Sequence, residues 1–222
     1  YEDQELIVVN KPANMVVHPG YGNYTGTLVN ALVYHFDNLP ERKSDYFGRP
    51  GLVHRLDKHT TGIMVVAKTE DALTNLAKQF YDRTTERRYQ ALVWGDVEED
   101  MRIEGNLGRS LQNRKVMTVF PEGDHGKHAV THVKVLKRYG LVTFVECKLE
   151  TGRTHQIRVH LDSIGHPVVG DATYGGARSS LSCSRPMLHA TALRFAHPST
   201  GEEMGFEVPI PDDMNQIVGR CS

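Results

Sequence analysis

The stretch LVTFVECKL, residues 141–149, places Leu141, Thr143, Val145, Cys147 and Leu149 on one side and Val142, Phe144, Glu146 and Lys148 on the other. Side chains of a strand point alternately to opposite faces, so this pattern predicts a β-strand. Upstream, residues 86–94, 115–120 and 129–136 are also expected to be strands. Downstream, residues 154–164 predict a helix with Ile157, Leu161 and Ile164 on its buried edge, and Gly165 stands where a left-handed C-terminal cap belongs. A polar loop is expected over 177–186, preceded by a turn at Gly175-Gly176, and a hairpin joins 188–196 to 203–208 around residues 197–201. Toward the N-terminus, residues 5–9 and 15–17 predict short strands separated by a turn at Lys11-Pro12. Residues 27–36 predict a helix with Leu28, Ala31, Leu32 and His35 on one stripe, and residues 38–50 a loop. GIMVVA, residues 62–67, predicts a fully buried strand. Thr69 then caps a helix to about Tyr81, with Glu70 and Asp71 in its first turn and Leu73, Leu76, Ala77 and Phe80 on one face. Strands interrupted by single helices imply an α+β fold with a large mixed, mainly antiparallel β-sheet.

With 222 residues and 39% apolar content, the chain is expected to form one domain, 1–222, with a substantial core. Its first residue is Tyr1 rather than Met, which we read as a trimmed start. No apolar run approaches the ~18 residues of a membrane span, and no secretory signal opens the chain. Three widely spaced cysteines, Cys147, Cys183 and Cys221, argue against a disulfide framework and for a reducing cytoplasm. Net charge is −1, which argues weakly against a nucleic-acid ligand. The charge is unevenly spread, however. Arg83, Arg87 and Arg88 cluster, as do Arg109, Arg114 and Lys115, Arg153 and Arg158, and Arg178 and Arg185, while acids gather at 98–100, 202–203 and 212–213. A basic face with acidic margins is compatible with that distribution.

The densest polar segment is GLVHRLDKHTTG, residues 51–62, where His54, Arg55, Asp57, Lys58 and His59 crowd together. A solvated connecting loop is the ordinary reading. Against it, Leu52, Val53 and Leu56 anchor the segment, and an anchored loop can hold a carboxylate among cations as a reactive group. A second segment, LETGRTHQIRVH, residues 149–160, puts His155, Arg158 and Asp162 at i, i+3 and i+7 of the expected helix. Arg158 either faces Asp57, which would hold that carboxylate ionised, or pairs at the surface with Asp162 or Glu150. A third, ERRYQALV, residues 86–93, sets Tyr89 among cations, where it either fills a core slot or stacks on a base.

Other signals are weak. His155, His160, His166 and His189 lack metal-ligand spacing and no CxxC is present, so no metal site is expected. Gly20, Gly22 and Gly26 form no phosphate loop, and Ser179, Ser180, Ser182 and Ser184 have no nucleophile-elbow context.

Four segments resemble the RluA/RluD family of pseudouridine synthases that act on large-subunit ribosomal RNA: residues 10–20, 51–69, 149–176 and 188–214, with ERRYQALVWG (86–95) beside them. HRLDK followed by TTG, and GRTHQIRVH after it, are the most specific parts. VVHPG followed by GTLVNAL, residues 26–32, looks most like the RluD branch. Asn14 departs from the glycine the family often carries after KPA, and Asn also tolerates a left-handed turn. The resemblance implies a mixed sheet flanked by helices and loops, with a central catalytic cleft. It implies that Asp57 is the catalytic aspartate, Tyr89 the active-site tyrosine, and Arg158 the basic partner of the aspartate. It also implies that Arg55 enters the RNA helix as the target uridine flips out, and that Leu161 lies beside the base. Of the neighbouring motif residues, His54, Thr61, Arg153 and His155 are expected to contact substrate. RluD-type members carry an S4-like RNA-binding domain at the N-terminus, and residues 1–222 show none.

The implied reaction breaks the N1–C1′ bond of a uridine, turns the uracil and rejoins it through C5, by attack at C1′, attack at C6 or a glycal. It needs no cofactor and no metal. The expected partner is structured RNA, ribosomal first and transfer RNA second. Two rivals remain open. One is a non-catalytic RNA-binding module; the other is a glycosidase-like hydrolase with Glu150, Asp162 or Asp171 as its second acid.

Overall fold

A computed structural model describes residues 1–36, 39–40, 49–114 and 116–221. Most of the expected loop 38–50, and Lys115 with the start of the strand expected at 115–120, lie outside the described residues. In chain order the elements are β1 (Leu6–Lys11), α1 (Leu28–His35), β2 (Thr61–Ala67), α2 (Glu70–Asp82), β3 (Glu86–Trp94), β4 (Met101–Arg109), β5 (Met117–Phe120), β6 (Lys127–Arg138), β7 (Val142–Leu149), α3 (Gln156–Ser163), β8 (Leu188–Ala196), β9 (Glu203–Glu207) and α4 (Asp212–Gly219). The pairs β1–β2, β3–β7, β4–β5, β4–β6, β6–β7 and β8–β9 are antiparallel and the class is α+β, as expected. No helix among the described residues is long and apolar enough to cross a membrane. The chain divides into two compact units, Tyr1–Glu86 with Ala192–Val208, and Arg87–Thr191 with Pro209–Ser222.

In the first unit, β2 is buried along its whole length, which is why it reads as an unbroken apolar run. It pairs with β1 from Leu6↔Ala67 to Lys11↔Gly62. Ile63, Val65 and Ala67 pack with Leu73 and Leu76 of α2 and with Leu193 and Phe195 of β8. Thr69 caps α2 by accepting from the Ala72 N–H at 3.2 Å. Two expectations need correction here. Residues 15–17 form no strand. The Val16 and Val17 carbonyls instead accept from the Leu28 and Val29 N–H groups, at 2.9 and 3.0 Å, satisfying donors that the first turn of α1 leaves open. That attachment turns α1 so that Leu28, Val29 and Leu32 are buried, while Ala31 and His35 are exposed.

In the second unit the strand order is β3-β7-β6-β4-β5. Strand β7 is buried at Thr143, Val145, Cys147 and Leu149, as its alternation predicts, and Tyr89 lies opposite Cys147 in the β3–β7 register. Strand β4 was not expected, because Gly105 and Gly108 interrupt its pattern. Both glycines are there for space: a Cβ on Gly105 would stand 2.8 Å from a Val119 methyl, and one on Gly108 2.9 Å from the Phe120 ring. Helix α4 was also not expected. Its acidic start, Asp212-Asp213, looked like a surface margin, yet Met214 and Ile217 pack on Leu92, Trp94, Val142 and Met187. The buried Arg185 forks onto Asp213, with Nε–Oδ2 2.6 Å and Nη2–Oδ1 2.8 Å, and fixes the helix start. Gly175-Gly176 is more than a turn. The Gly176 carbonyl accepts from the Trp94 indole at 2.7 Å, and a Cβ there would fall 1.8 Å from the Val168 oxygen.

Helix α3 starts at Gln156, two residues later than expected, because His155 takes a left-handed conformation at φ 54°. Its residues Gln156 to Leu161 are all buried, so it is a core helix rather than an edge. His160 is 0% exposed; its Nδ1 lies 2.9 Å from the Thr131 hydroxyl, and its Nε2 meets no hydrogen-bond partner among the described residues. Burial pushes its pKa down to about 4. In the unfolded chain the imidazole takes a proton near pH ~6.5. The stability it contributes is therefore complete above about 6.5 and is lost as pH falls toward about 4. In urea titrations, the stability gap between wild type and His160→Asn is expected to shrink by on the order of 3 kcal/mol between pH ~7.5 and ~4. A pH-independent gap would show that this imidazole does not titrate against the fold.

Candidate active site

Within the first unit, segment 51–62 begins and ends on the same strand. Gly51 is left-handed, φ 69°, and a Cβ there would lie 2.4 Å from the Ala67 oxygen. Its own carbonyl accepts from Ala67 N at 2.9 Å, and Leu52 bridges Val66. The segment then turns through Asp57, whose carbonyl accepts from Thr60 N at 3.1 Å, and enters β2 at the buried Thr61. Leu52 and Leu56 are buried, so the loop is clamped as its apolar residues suggested. His54 points back into the unit. Its Nε2 accepts from Val65 N at 3.1 Å and its ring stacks on Phe80 at 4.6 Å, so Nε2 carries a lone pair.

A residue that sequence reasoning passed over as part of a turn organises this loop. Lys11 is 1% exposed, and its ammonium donates to the carbonyls of Pro12 (2.8 Å), Met15 (2.9 Å) and Lys58 (3.2 Å). Asn14, left-handed at φ 63°, brings its Oδ1 within 2.7 Å of His59 Nδ1. Residues 11–15 and 58–59 are thus stitched together on either side of the buried amine. Asp57, adjacent to Lys58 in the chain, is half-buried. Arg55 is more open, and desolvation lowers its pKa; the Asp57 charge opposes that shift and Arg49 adds to it. Asp57 and Arg55 therefore lie within electrostatic reach of each other.

The second unit carries the other expected residues. Tyr89 is buried on β3. Arg158 is gripped by Asp171, an acid that the sequence did not single out as its partner, with Nε–Oδ2 2.6 Å and Nη2–Oδ1 2.9 Å, and the side chains of this pair are 9% and 1% exposed. Asp162 is exposed, and Glu150 sits 2.6 Å from His132. Asp171 also accepts from Thr173 N and Tyr174 N, at 3.0 and 3.3 Å. The Tyr174 ring lies 5.0 Å from the guanidinium carbon, and its hydroxyl accepts from Met117 N while standing 2.8 Å from His155 Nδ1. The structure thus brings His155 and Arg158 together through Tyr174, not through the i, i+3, i+7 face. Leu161 is 0% exposed. Arg153 donates to the His128 carbonyl at 3.1 Å. Gln156, which its neutral amide made easy to overlook, donates to Val130 O and Thr131 Oγ1 and accepts from Thr151 Oγ1 and Arg153 N, all within 3.0 Å. It locks the 151–153 turn that precedes α3.

A profile of the family described as RNA pseudouridylate synthase matches residues 5–163. An uncharacterized RNA pseudouridine synthase from Chlorobaculum parvum is 46% identical over 99% of this chain and 72% of its own length. The ribosomal large subunit pseudouridine synthase D of Neisseria meningitidis is 49% identical over 98% of this chain, which spans 59% of that relative. Among solved structures, human RNA pseudouridylate synthase domain containing 1 superposes with a TM-score of 0.73 at 29% identity, covering 100% of this chain and 92% of that one.

Removing one partner of a buried ion pair leaves the other charge desolvated, at a cost of about 3–5 kcal/mol. Asp171→Ala is expected to lower the urea unfolding free energy by that amount, whereas Asp162→Ala changes it by less than about 1 kcal/mol. Equal effects of the two substitutions would contradict the assignment of Asp171 as the partner that holds Arg158.

Proposed function

Because the chain belongs to the RNA pseudouridylate synthase family, we propose that residues 1–222 act as a catalytic domain that converts particular uridines of large-subunit ribosomal RNA to pseudouridine, with Asp57 as the acting carboxylate. The observation that carries this is the double anchoring of the Asp57 loop on β2, with Arg55 alongside and Lys11 beneath. A carboxylate held on a clamped loop costs little reorganisation when it acts. The cytoplasm, where ribosomal RNA is available, is the proposed compartment, and transfer RNA is a second candidate substrate.

The target base must leave its stack, at a cost of a few kcal/mol that a loose RNA site reduces. Arg55, exposed on the same loop, is suited to occupy the vacated space and meet phosphate. Asp57 then acts at the ribose or the uracil. The N1–C1′ bond breaks, the uracil turns, a C5–C1′ bond forms, and the C5 proton is lost while N1 gains one, so the composition of the RNA is unchanged. Tyr89 offers a face against which a detached uracil can be held. Arg158 supplies a guanidinium whose orientation Asp171 and Tyr174 fix; the family resemblance assigns its charge to the support of Asp57. His54, Thr61, Arg153, His155 and Leu161 complete the proposed shell. The packing of His54 on Phe80 and the burial of Leu161 favour shape support for those two over direct polar contact. The hydrolase alternative is less well supported, since Asp171 is committed to Arg158 and Glu150 lies against His132.

The test uses a large-subunit RNA transcript. Wild type is expected to leave the RNA mass unchanged while creating carbodiimide-reactive nucleotides. Asp57→Asn should form them at least about a hundredfold more slowly and still bind the transcript. Full activity of that variant would sink the assignment, and release of free uracil would turn the reading toward hydrolysis.

A further inference from the structure

Resting on the RNA reading above, we propose that Tyr21 and Tyr24 form a stacking platform for unpaired RNA bases, mounted beside the Asp57 loop. Tyr21 is 98% exposed and Tyr24 68%. Among the described residues neither ring has an aromatic partner and neither hydroxyl a hydrogen bond. Leaving two large aromatic surfaces in water is unfavourable, and single exposed apolar residues elsewhere, such as Tyr81 on α2, sit on ordinary helix surfaces. Tyr21 and Tyr24 differ in lying close together, one inside a tight turn and the other directly after it. Gly20 and Asn23 exchange both backbone hydrogen bonds, at 3.0 and 2.9 Å, with Gly22 at φ 77° between them, as a tight turn with glycine at its third position requires. The chain before the turn is held by Lys11 at Met15, and by Val16 and Val17 on the start of α1. The chain after it ends in the Thr27 capping box.

The turn is also placed by the catalytic segment itself. Lys58, next in sequence to Asp57, donates to the Asn23 side-chain oxygen at 3.5 Å. An exposed lysine therefore stands against the turn that carries the two tyrosines. Aromatic faces that accept any base, with a cation for the backbone, are the chemistry of single-stranded nucleic-acid binding. A rigid tyrosine loses little side-chain entropy on stacking. The platform would grip nucleotides flanking the uridine presented to Asp57, and so act on substrate affinity rather than on the bond-making step.

The experiment titrates a fluorescein-labelled single-stranded oligouridylate, and a fully paired duplex of equal length, into wild type, Tyr21→Ala, Tyr24→Ala and the two Tyr→Phe variants. Each alanine variant should raise the Kd for the single strand about tenfold, each phenylalanine variant should stay within about twofold of wild type, and duplex binding should be unchanged in all. Melting temperatures of all variants should agree. On the RNA transcript, KM should rise for the alanine variants at constant kcat. Wild-type affinity in both alanine variants, equal losses in the phenylalanine variants, or no wild-type binding of the single strand would each overturn the platform. The uridine-isomerase reading fails separately, if wild type forms no pseudouridine while the alanine variants still lose the single strand.

Discussion

A lysine side chain buried at 1% exposure, with three backbone carbonyls around its ammonium, is the constraint from which the candidate catalytic loop takes its shape. Desolvating an ammonium is expensive, and the fold accepts that cost only because oriented oxygens surround it. The geometry follows from the number of donors. A single cation can hold the end of β1, the turn after it and the residue following Asp57 in one arrangement, which a neutral amide with two donors could not. Gly51 does the corresponding task at the other end, by approaching Ala67 more closely than any side-chain-bearing residue allows. Between these pins the segment that carries the carboxylate is held in place, and preorganisation of that kind lowers the reorganisation a reacting group needs.

The second unit solves a similar problem with a different device. Arg158 is planar and needs a planar partner, and Asp171 meets it with both oxygens while Tyr174 covers its face. A buried ion pair of this sort contributes little net stability compared with apolar packing of the same volume. What it contributes is direction. A guanidinium fixed at Nε and one terminal nitrogen presents its remaining edge along one line. The backbone N–H groups of Thr173 and Tyr174 on Asp171 hold the carboxylate in turn, so the orientation propagates from the turn at 171–174 to the core helix α3.

What the sequence made legible follows the same division. Strand β2 and helix α2 were readable because burial on both faces of a strand, and on one face of a helix, writes directly into apolar periodicity. Strand β7 was readable for the same reason. Strand β4 was hidden by glycines chosen for the bulk of Val119 and Phe120 on a neighbouring strand, information that lies 14 and 12 residues away in the chain. Helix α4 was hidden because the two acids that start it serve a favourable first turn and the anchor for Arg185. In the candidate site, Asp57, Arg55 and Arg158 stood out as charges in dense motifs. Lys11 and Gln156 did not, since their partners are backbone carbonyls, hydroxyls and N–H groups, and those leave no pattern in side-chain identity.

The same accounting of partners bears on how a chain of net charge −1 can take RNA as its substrate. Formal charge counts every arginine equally, yet several here are committed internally. Arg158 and Arg185 are forked onto Asp171 and Asp213, Arg138 onto Asp96, and Arg178 lies 4.7 Å over the Trp94 ring. Of the clusters that look basic in the sequence, Arg158, Arg178 and Arg185 are thus held within the fold. Nonspecific affinity for a polyanion scales with the cations left to displace its counterions. A protein that spends its arginines on architecture must draw more of its RNA affinity from contacts that charge does not measure, such as shape and aromatic stacking on exposed bases. Such contacts are available only where bases are unpaired.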